Sequence, residues 1–213
     1  MTVLRIDASI QGERSASSAL ADVVLAELVA RHPDVPVVRR HLGREPLPAD
    51  AWPMAVGAGF LPEGDRTDAQ REALALAGTL AGELRDATGA VLALPLYNWG
   101  VSQHVKTWID LAVAGAPTGT RLLDGTPTVL VTTRGGAYGP GTPREGWDHS
   151  TAYLRRVLAD VWGADLTVVE REMTLVGVNP AMDALTEAAA LERKTAEEAA
   201  VEAGRTLAAR RAA

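Results

Sequence analysis

Three short segments of this sequence combine hydroxyls, aromatic rings and glycines in ways that can hold a flat, anionic ligand. The first is Asp7-Ala8-Ser9-Ile10-Gln11-Gly12-Glu13-Arg14-Ser15-Ala16-Ser17, where Ser9, Ser15 and Ser17 place hydroxyls just ahead of an amphipathic stretch. Free N–H groups and the dipole at a helix N-terminus favour an anion, and serine hydroxyls add donors, so this segment suits a terminal phosphate. It has neither the Gly-Lys-Ser/Thr ending of a Walker A loop nor a GxGxxG fingerprint. Ser15 can equally be a plain N-cap. The second segment, Pro95-Leu96-Tyr97-Asn98-Trp99-Gly100-Val101-Ser102, sets aromatic residues around an asparagine. Such residues can line a planar ring while Asn98 and backbone N–H groups address its polar edge, or they can simply pack at a sheet edge. In the third, Thr132-Thr133-Arg134-Gly135-Gly136-Ala137-Tyr138-Gly139, paired glycines allow close backbone approach to a flat ligand, although an ordinary glycine-rich turn would look the same.

Each segment follows a run that reads as a buried strand. Short β-branched runs alternate with longer amphipathic or alanine-rich stretches, the pattern of βαβ units and a parallel sheet. Strands are predicted at 3–7, 35–40, 90–94, 128–133 and 166–172, and helices at 15–31, 67–87, 102–113, 151–162 and from Pro180 onward. Thr67 to Gln70 has the form of a capping box, and Asn179-Pro180 pairs an N-cap with proline at the first helical position. Residues 42–66, rich in Pro, Gly and Ala, read as one long irregular loop. The expected fold is α/β and flavodoxin-like: a doubly wound, five-stranded parallel sheet with helices on both faces, in a single domain over 1–213. Ligands bind beyond the carboxyl ends of the strands in such sheets, so all three segments would meet on one edge.

Composition removes several classes of function. There are no cysteines, which excludes disulfides, thiolate nucleophiles and Cys-ligated metals. His32, His41, His104 and His149 are scattered, with no HExxH or paired spacing, so no metal site is expected. No G-x-S-x-G elbow occurs. With 21 basic against 27 acidic residues and only short basic pairs such as Arg39-Arg40 and Arg210-Arg211, no nucleic-acid partner is expected. No apolar window reaches the roughly 18 to 20 residues of a membrane span, and the first residues lack the features of a signal peptide. A cytoplasmic protein with no membrane partner is the expectation.

At these same residues the sequence resembles the FMN-dependent NADH-azoreductase family, flavodoxin-like homodimers that reduce quinones and azo compounds. The resemblance covers nearly the whole chain. Ser9 and Ser15-Ala16-Ser17 are similar to the family's FMN-phosphate site, Leu96-Tyr97-Asn98-Trp99 to its segment along the isoalloxazine, and Thr133-Arg134-Gly135-Gly136 to the segment near the ring's pyrimidine side. Ser102, the Lys106/Asp110 pair, Asp148 and Tyr153-Leu154 also fall where the family pattern has them. The resemblance implies FMN as cofactor, NADH or NADPH as co-substrate, and ping-pong hydride transfer to a small quinone, azo or related acceptor. It adds Pro95, Gly100 and Tyr138 to the cofactor site and makes Trp52, Phe60, Trp99, Tyr138, Trp147 and His149 candidates for the substrate pocket. His149 is as readily read as a surface histidine. The chemistry is centred on the flavin, so no acid or base side chain is assigned. By resemblance, the 42–66 loop reaches toward the flavin of a second subunit, with active sites at the dimer interface. One departure stands out: residues 114–125 are shorter than the family's excursion and lack its Phe-x-Tyr element, which predicts a wider opening over the flavin. Two other readings stay open, a flavodoxin-type electron carrier and a biosynthetic flavoenzyme on the same scaffold.

Overall fold

The β-branched runs pair as expected. In a computed structural model that describes residues 2–210, β1 (Val3–Asp7), β2 (Val37–His41), β3 (Gly89–Ala93), β4 (Pro127–Thr133) and β5 (Asp165–Arg171) form one all-parallel sheet. Their order, β2-β1-β3-β4-β5, makes the fold flavodoxin-like. The register aligns Ile6 with Leu92 and Leu92 with Leu130, so alternate residues build two separate cores. Leu4, Ile6, Leu92 and Leu130 face α2 (Ala51–Gly59), α3 (Asp68–Asp86), α4 (Gln103–Ala114) and α5 (Thr151–Arg155). Val3, Val91, Val129 and Val131 face α1 (Ala16–Arg31) and α6 (Thr186–Arg210). Strand β3, buried along its whole length, is the wholly apolar run expected of a central parallel strand.

Helix packing is tight enough to require glycine twice. A Cβ on Gly115, at the end of α4, would lie 1.9 Å from the Ala77 carbonyl oxygen of α3, and one on Gly204 of α6 would lie 2.6 Å from the Val24 carbonyl of α1. Thr67 and Gln70 form the capping box read from sequence.

Two expectations are corrected. Residues 42–66 are not one irregular loop, because α2 lies within them. Pro53 sits in its first turn, where a missing N–H costs no intrahelical bond, and Ala51, Ala55 and Ala58 bury one face. Small side chains at that spacing bury too little area to stand out as an amphipathic pattern, yet they let α2 settle on α3. The second correction is to the 151–162 helix, which is α-helical only to Arg155 and then widens into a π-helix over Arg156–Val161. Trp162, at its end, is buried edge-on against Trp108, with ring centroids 5.5 Å apart. A 3₁₀ turn over Pro180–Leu185 precedes α6, and Arg211 of the Arg210-Arg211 pair lies outside the described residues. Among the described residues, no helix is long and apolar enough to cross a membrane.

Candidate active site

The carboxyl ends of β1, β3 and β4 bring the three segments around one cleft of about 610 Å³, within the usual range for a small-molecule site. Ser9, Ser15, Ala16 and Ser17 line one end of it. Pro95, Leu96, Tyr97, Asn98 and Trp99 line one side, and Thr133, Gly135, Gly136 and Tyr138 the other end. Gly100 instead lines an adjoining hollow of about 470 Å³ with Asn98, Trp99, Trp147 and His149. Trp52 and Phe60, on and after α2, line neither space and are 45% and 85% exposed.

At the β1 end, Ser15 is the N-cap of α1 and accepts from the Ser18 amide at 3.1 Å. Its hydroxyl lies 3.2 Å from that of Ser17, and both side chains are buried. The Ser9 hydroxyl accepts from the Gln11 amide at 3.2 Å and lies 3.3 Å from the Tyr97 hydroxyl, which also accepts from the Ile10 amide. Tyr97 thus ties the second segment to the first. Beneath them, Arg5 donates to both oxygens of Asp7 at 2.8 Å. Burial alone would raise the Asp7 pKa, but the Arg5 hydrogen bonds and charge hold it below the usual carboxylate range. The ion pair neutralises the Asp7 carboxylate at the foot of the serine loop.

The second segment is a two-residue reversal. Tyr97 and Gly100 exchange both backbone hydrogen bonds, at 3.2 and 3.0 Å, with Asn98 at φ 47° and Trp99 at φ 66°. Asparagine tolerates the left-handed region, whereas for tryptophan it costs on the order of 1–2 kcal/mol. The strain presents the Trp99 ring outward, edge-on to Trp147 with centroids 6.2 Å apart, and the Trp99 carbonyl accepts from the His149 amide. Strain held by pairing on both sides is characteristic of functional turns.

In the third segment, Arg134 does not face the cleft. Its guanidinium is buried and donates to Asp148, Glu170, Glu172 and the Thr151 hydroxyl. Arginine is charged at any working pH, so a β4-end arginine surrounded by three carboxylates is a structural tie. Glu172 passes the tie on, its other oxygen accepting from the Tyr138 amide at 2.8 Å and the Gly139 amide at 3.3 Å.

Several cleft residues escape a reading by segments. Thr174, Leu175 and Val178 follow β5, and applying the strand-end rule to that strand as well would find them. Arg14 and Arg144 also line the cleft. In a protein of net charge −6, the charged residues lining the cleft, among the described residues, are two arginines and no carboxylate. Residues 114–125 lie elsewhere. Helix α4 runs antiparallel to the strands, so its end returns the chain to their amino edge, where Leu122 and Leu123 are buried and the Leu123 amide donates to the Trp162 carbonyl. The segment lines neither space, and within one chain it opens nothing over the cleft.

The model of a family described as having the flavodoxin-like fold matches residues 1–197. The chain is 36% identical over 202 residues to an FMN-dependent NADH:quinone oxidoreductase of Frankia alni, covering 92% of this chain and 95% of that protein. It is 35% identical over 219 residues to one of Streptomyces avermitilis, covering 100% and 99%. The crystal structure of an azoreductase from Bacillus anthracis shares the fold with a TM-score of 0.75 at 24% identity, over 97% of this chain and 100% of that one. The chain belongs to the flavodoxin-like family, among the relatives named FMN-dependent NADH:quinone oxidoreductases.

Proposed function

We propose that this chain is an FMN-dependent NAD(P)H:quinone oxidoreductase, with azo compounds as further acceptors, working as a homodimer of single-domain subunits in the cytoplasm, where reduced nicotinamide is made. The observation that carries the reading is the polarity of the cleft: buried serine hydroxyls at a helix N-terminus at one end, and a glycine-walled, aromatic-sided slot at the other. That donor set fits FMN, a phosphate anchored at one end of a planar ring. The lack of a dinucleotide fingerprint favours FMN over FAD.

When bound, FMN supplies reversible two-electron chemistry between nicotinamide and acceptor. The protein's own residues bind and orient. Ser15, Ser17 and the first-turn amides of α1 hold the phosphate. Leu96 to Trp99 would form the side of the ring slot, and Gly135 and Gly136 its far end, where the Leu175 and Arg144 side chains seat against them. The aromatic hollow of Trp99 and Trp147 receives the acceptor beside that slot. No side chain needs to act as acid or base.

The dimer is supported by an apolar face left uncovered on and after α2, where Trp52, Met54, Val56, Phe60 and Leu61 are exposed. In this arrangement Trp52 and Phe60 would border a partner's hollow rather than their own. The test is direct. The purified protein should release FMN on denaturation and oxidise NADH continuously with a quinone. Light scattering should give about twice the 22.4 kDa chain mass, and cell fractionation should recover the protein with cytoplasmic markers. Released FAD would overturn the cofactor assignment, and an FMN protein that NADH reduces once without turnover would be an electron carrier instead.

A further inference from the structure

We infer that Arg144 raises the reduction potential of the bound cofactor, by meeting the negative charge that the flavin ring gains when it is reduced. The inference rests on the proposed FMN reading and adds a tuning residue to it.

Arg144 reaches the cleft from the long loop between β4 and α5. Its Nη1 lies 2.5 Å from where a Cβ on Gly136 would stand, so the guanidinium seats against bare backbone at the glycine end of the cleft. It also lies over the Tyr138 ring, with Cζ 5.7 Å from the centroid. The segment after β5 closes the same end. The Met173, Thr174 and Leu175 amides donate to the Gly136, Arg134 and Gly135 carbonyls at 3.0, 3.1 and 3.1 Å. Met173 takes φ 57° in this turn, and Leu175 Cδ1 comes 2.7 Å from where a Cβ on Gly135 would stand. Arg144 is therefore held between a bare backbone and an aromatic face, in the space given to the cofactor.

The carboxylates of these two segments are engaged otherwise. Glu145 accepts from the Gly141 amide at 2.8 Å, and Glu172 from Arg134 and the Tyr138 and Gly139 amides. Among the described residues Arg144 forms no ion pair, whereas Arg134 is shared by Asp148, Glu170 and Glu172. Arg14, the other cation of the cleft, directly precedes Ser15 at the serine end. A ring anchored through its phosphate at the serines reaches the glycine end with Arg144 as its cation, and a guanidinium there favours the polar, pyrimidine edge over the apolar one.

Accepting a hydride, two electrons and one proton, takes the ring from neutral to singly negative, with the charge gathered on the pyrimidine edge. A fixed cation at that edge stabilises the reduced ring more than the oxidised one, since only the reduced ring brings a charge to meet it. Arginine keeps its own charge at any working pH. Leu175 and Tyr138 displace water from part of this space, which strengthens the attraction, while the outer side of Arg144 is exposed and open to screening by salt. A charge-assisted contact in such a half-screened site corresponds to about tenfold in relative affinity.

The experiment uses the FMN-loaded protein and reads its midpoint potential by titration against a reference dye, together with separate Kd values for oxidised and reduced FMN. Compared with wild type, Arg144→Met should bind reduced FMN about tenfold more weakly while binding oxidised FMN within about threefold. That tenfold is a fall of about 30 mV in midpoint potential for a two-electron couple. Arg144→Gln, which keeps donors without charge, should behave as Arg144→Met does, and Arg144→Lys should restore part of the difference. High salt should narrow the gap between wild type and the neutral variants. In rapid mixing, the neutral variants should be reduced by NADH more slowly, with reoxidation by quinone no slower than in wild type. A midpoint potential unchanged in either neutral variant, or oxidised and reduced FMN weakened equally, overturns the assignment. A protein that takes up no FMN at all overturns the reductase reading itself, and the assignment with it.

Discussion

Arg134 Nε donates to Asp148 Oδ2 across 2.6 Å, joining the end of β4 to the start of α5. Asp148 is saturated there: its oxygens also accept from the Ser150 and Thr151 amides and from the Thr151 hydroxyl. Through Glu172, the same guanidinium positions the Tyr138 backbone. The ring end of the cleft therefore depends on an ion-pair cluster that never touches the ligand space.

Removing the cation leaves the largely buried carboxylates of Asp148 and Glu172 without a counter-charge. Arg134→Met should destabilise the protein by about 3–5 kcal/mol in urea or thermal unfolding. Glu172→Gln keeps an acceptor for the Tyr138 amide and should cost about 1 kcal/mol. A loss below 1 kcal/mol for Arg134→Met would show that the cluster adds nothing to the fold.

Acid should weaken this same tie. Burial raises the Asp148 pKa, but the Thr151 amide and hydroxyl, the Arg134 guanidinium and the Ser150 amide together bring it below the ordinary value. A carboxylate depressed in the folded state stabilises fully above its unfolded pKa of about 3.9, and that stabilisation fades as pH falls from there through the folded value. Asp7, held down by Arg5, acts in the same direction. The urea midpoint should fall as pH drops below about 4, and Asp148→Asn should flatten that slope while lowering stability at pH 7.

The serine loop separates capping from ligand binding. Ser15→Ala loses the α1 cap and should cost about 1 kcal/mol without added ligand. Ser17 makes no cap bond, so Ser17→Ala should leave stability closer to wild type yet weaken FMN. Ser17→Asp, which sets a carboxylate beside the phosphate site, should raise the FMN Kd by more than about tenfold in a fluorescence titration. An unchanged Kd would remove this loop from the site.

Trp99 offers a test of stored strain. At φ 66° the usual preference for alanine over glycine should invert, with Trp99→Gly more stable than Trp99→Ala by about 1 kcal/mol. Both variants lose the ring beside Trp147, so both should lower kcat/KM for quinones. If alanine is the more stable of the two, the turn holds no such strain.

The sequence by itself determined the layering and the edge on which a site can form. A parallel strand such as 89–93 is buried on both faces and reads as an unbroken apolar run, and loop chemistry follows each such run directly in the chain. Serine before a helix, paired glycines and a capping box are likewise local signals, set within a few residues. Tertiary structure decided where long side chains go. Arg134 sits between a strand and two glycines in sequence, but it turns away because Asp148, Glu170 and Glu172 arrive from elements 14 to 38 residues distant. Arg144 is one cation among many in the sequence, and it reaches the cleft only because the β4–α5 loop folds back over Gly136. Helix α2 and the placement of residues 114–125 were hidden for a related reason. Alanines carry little hydrophobic signal until a neighbouring helix is close enough to need small side chains, and the direction of a connecting helix depends on the sheet it packs against.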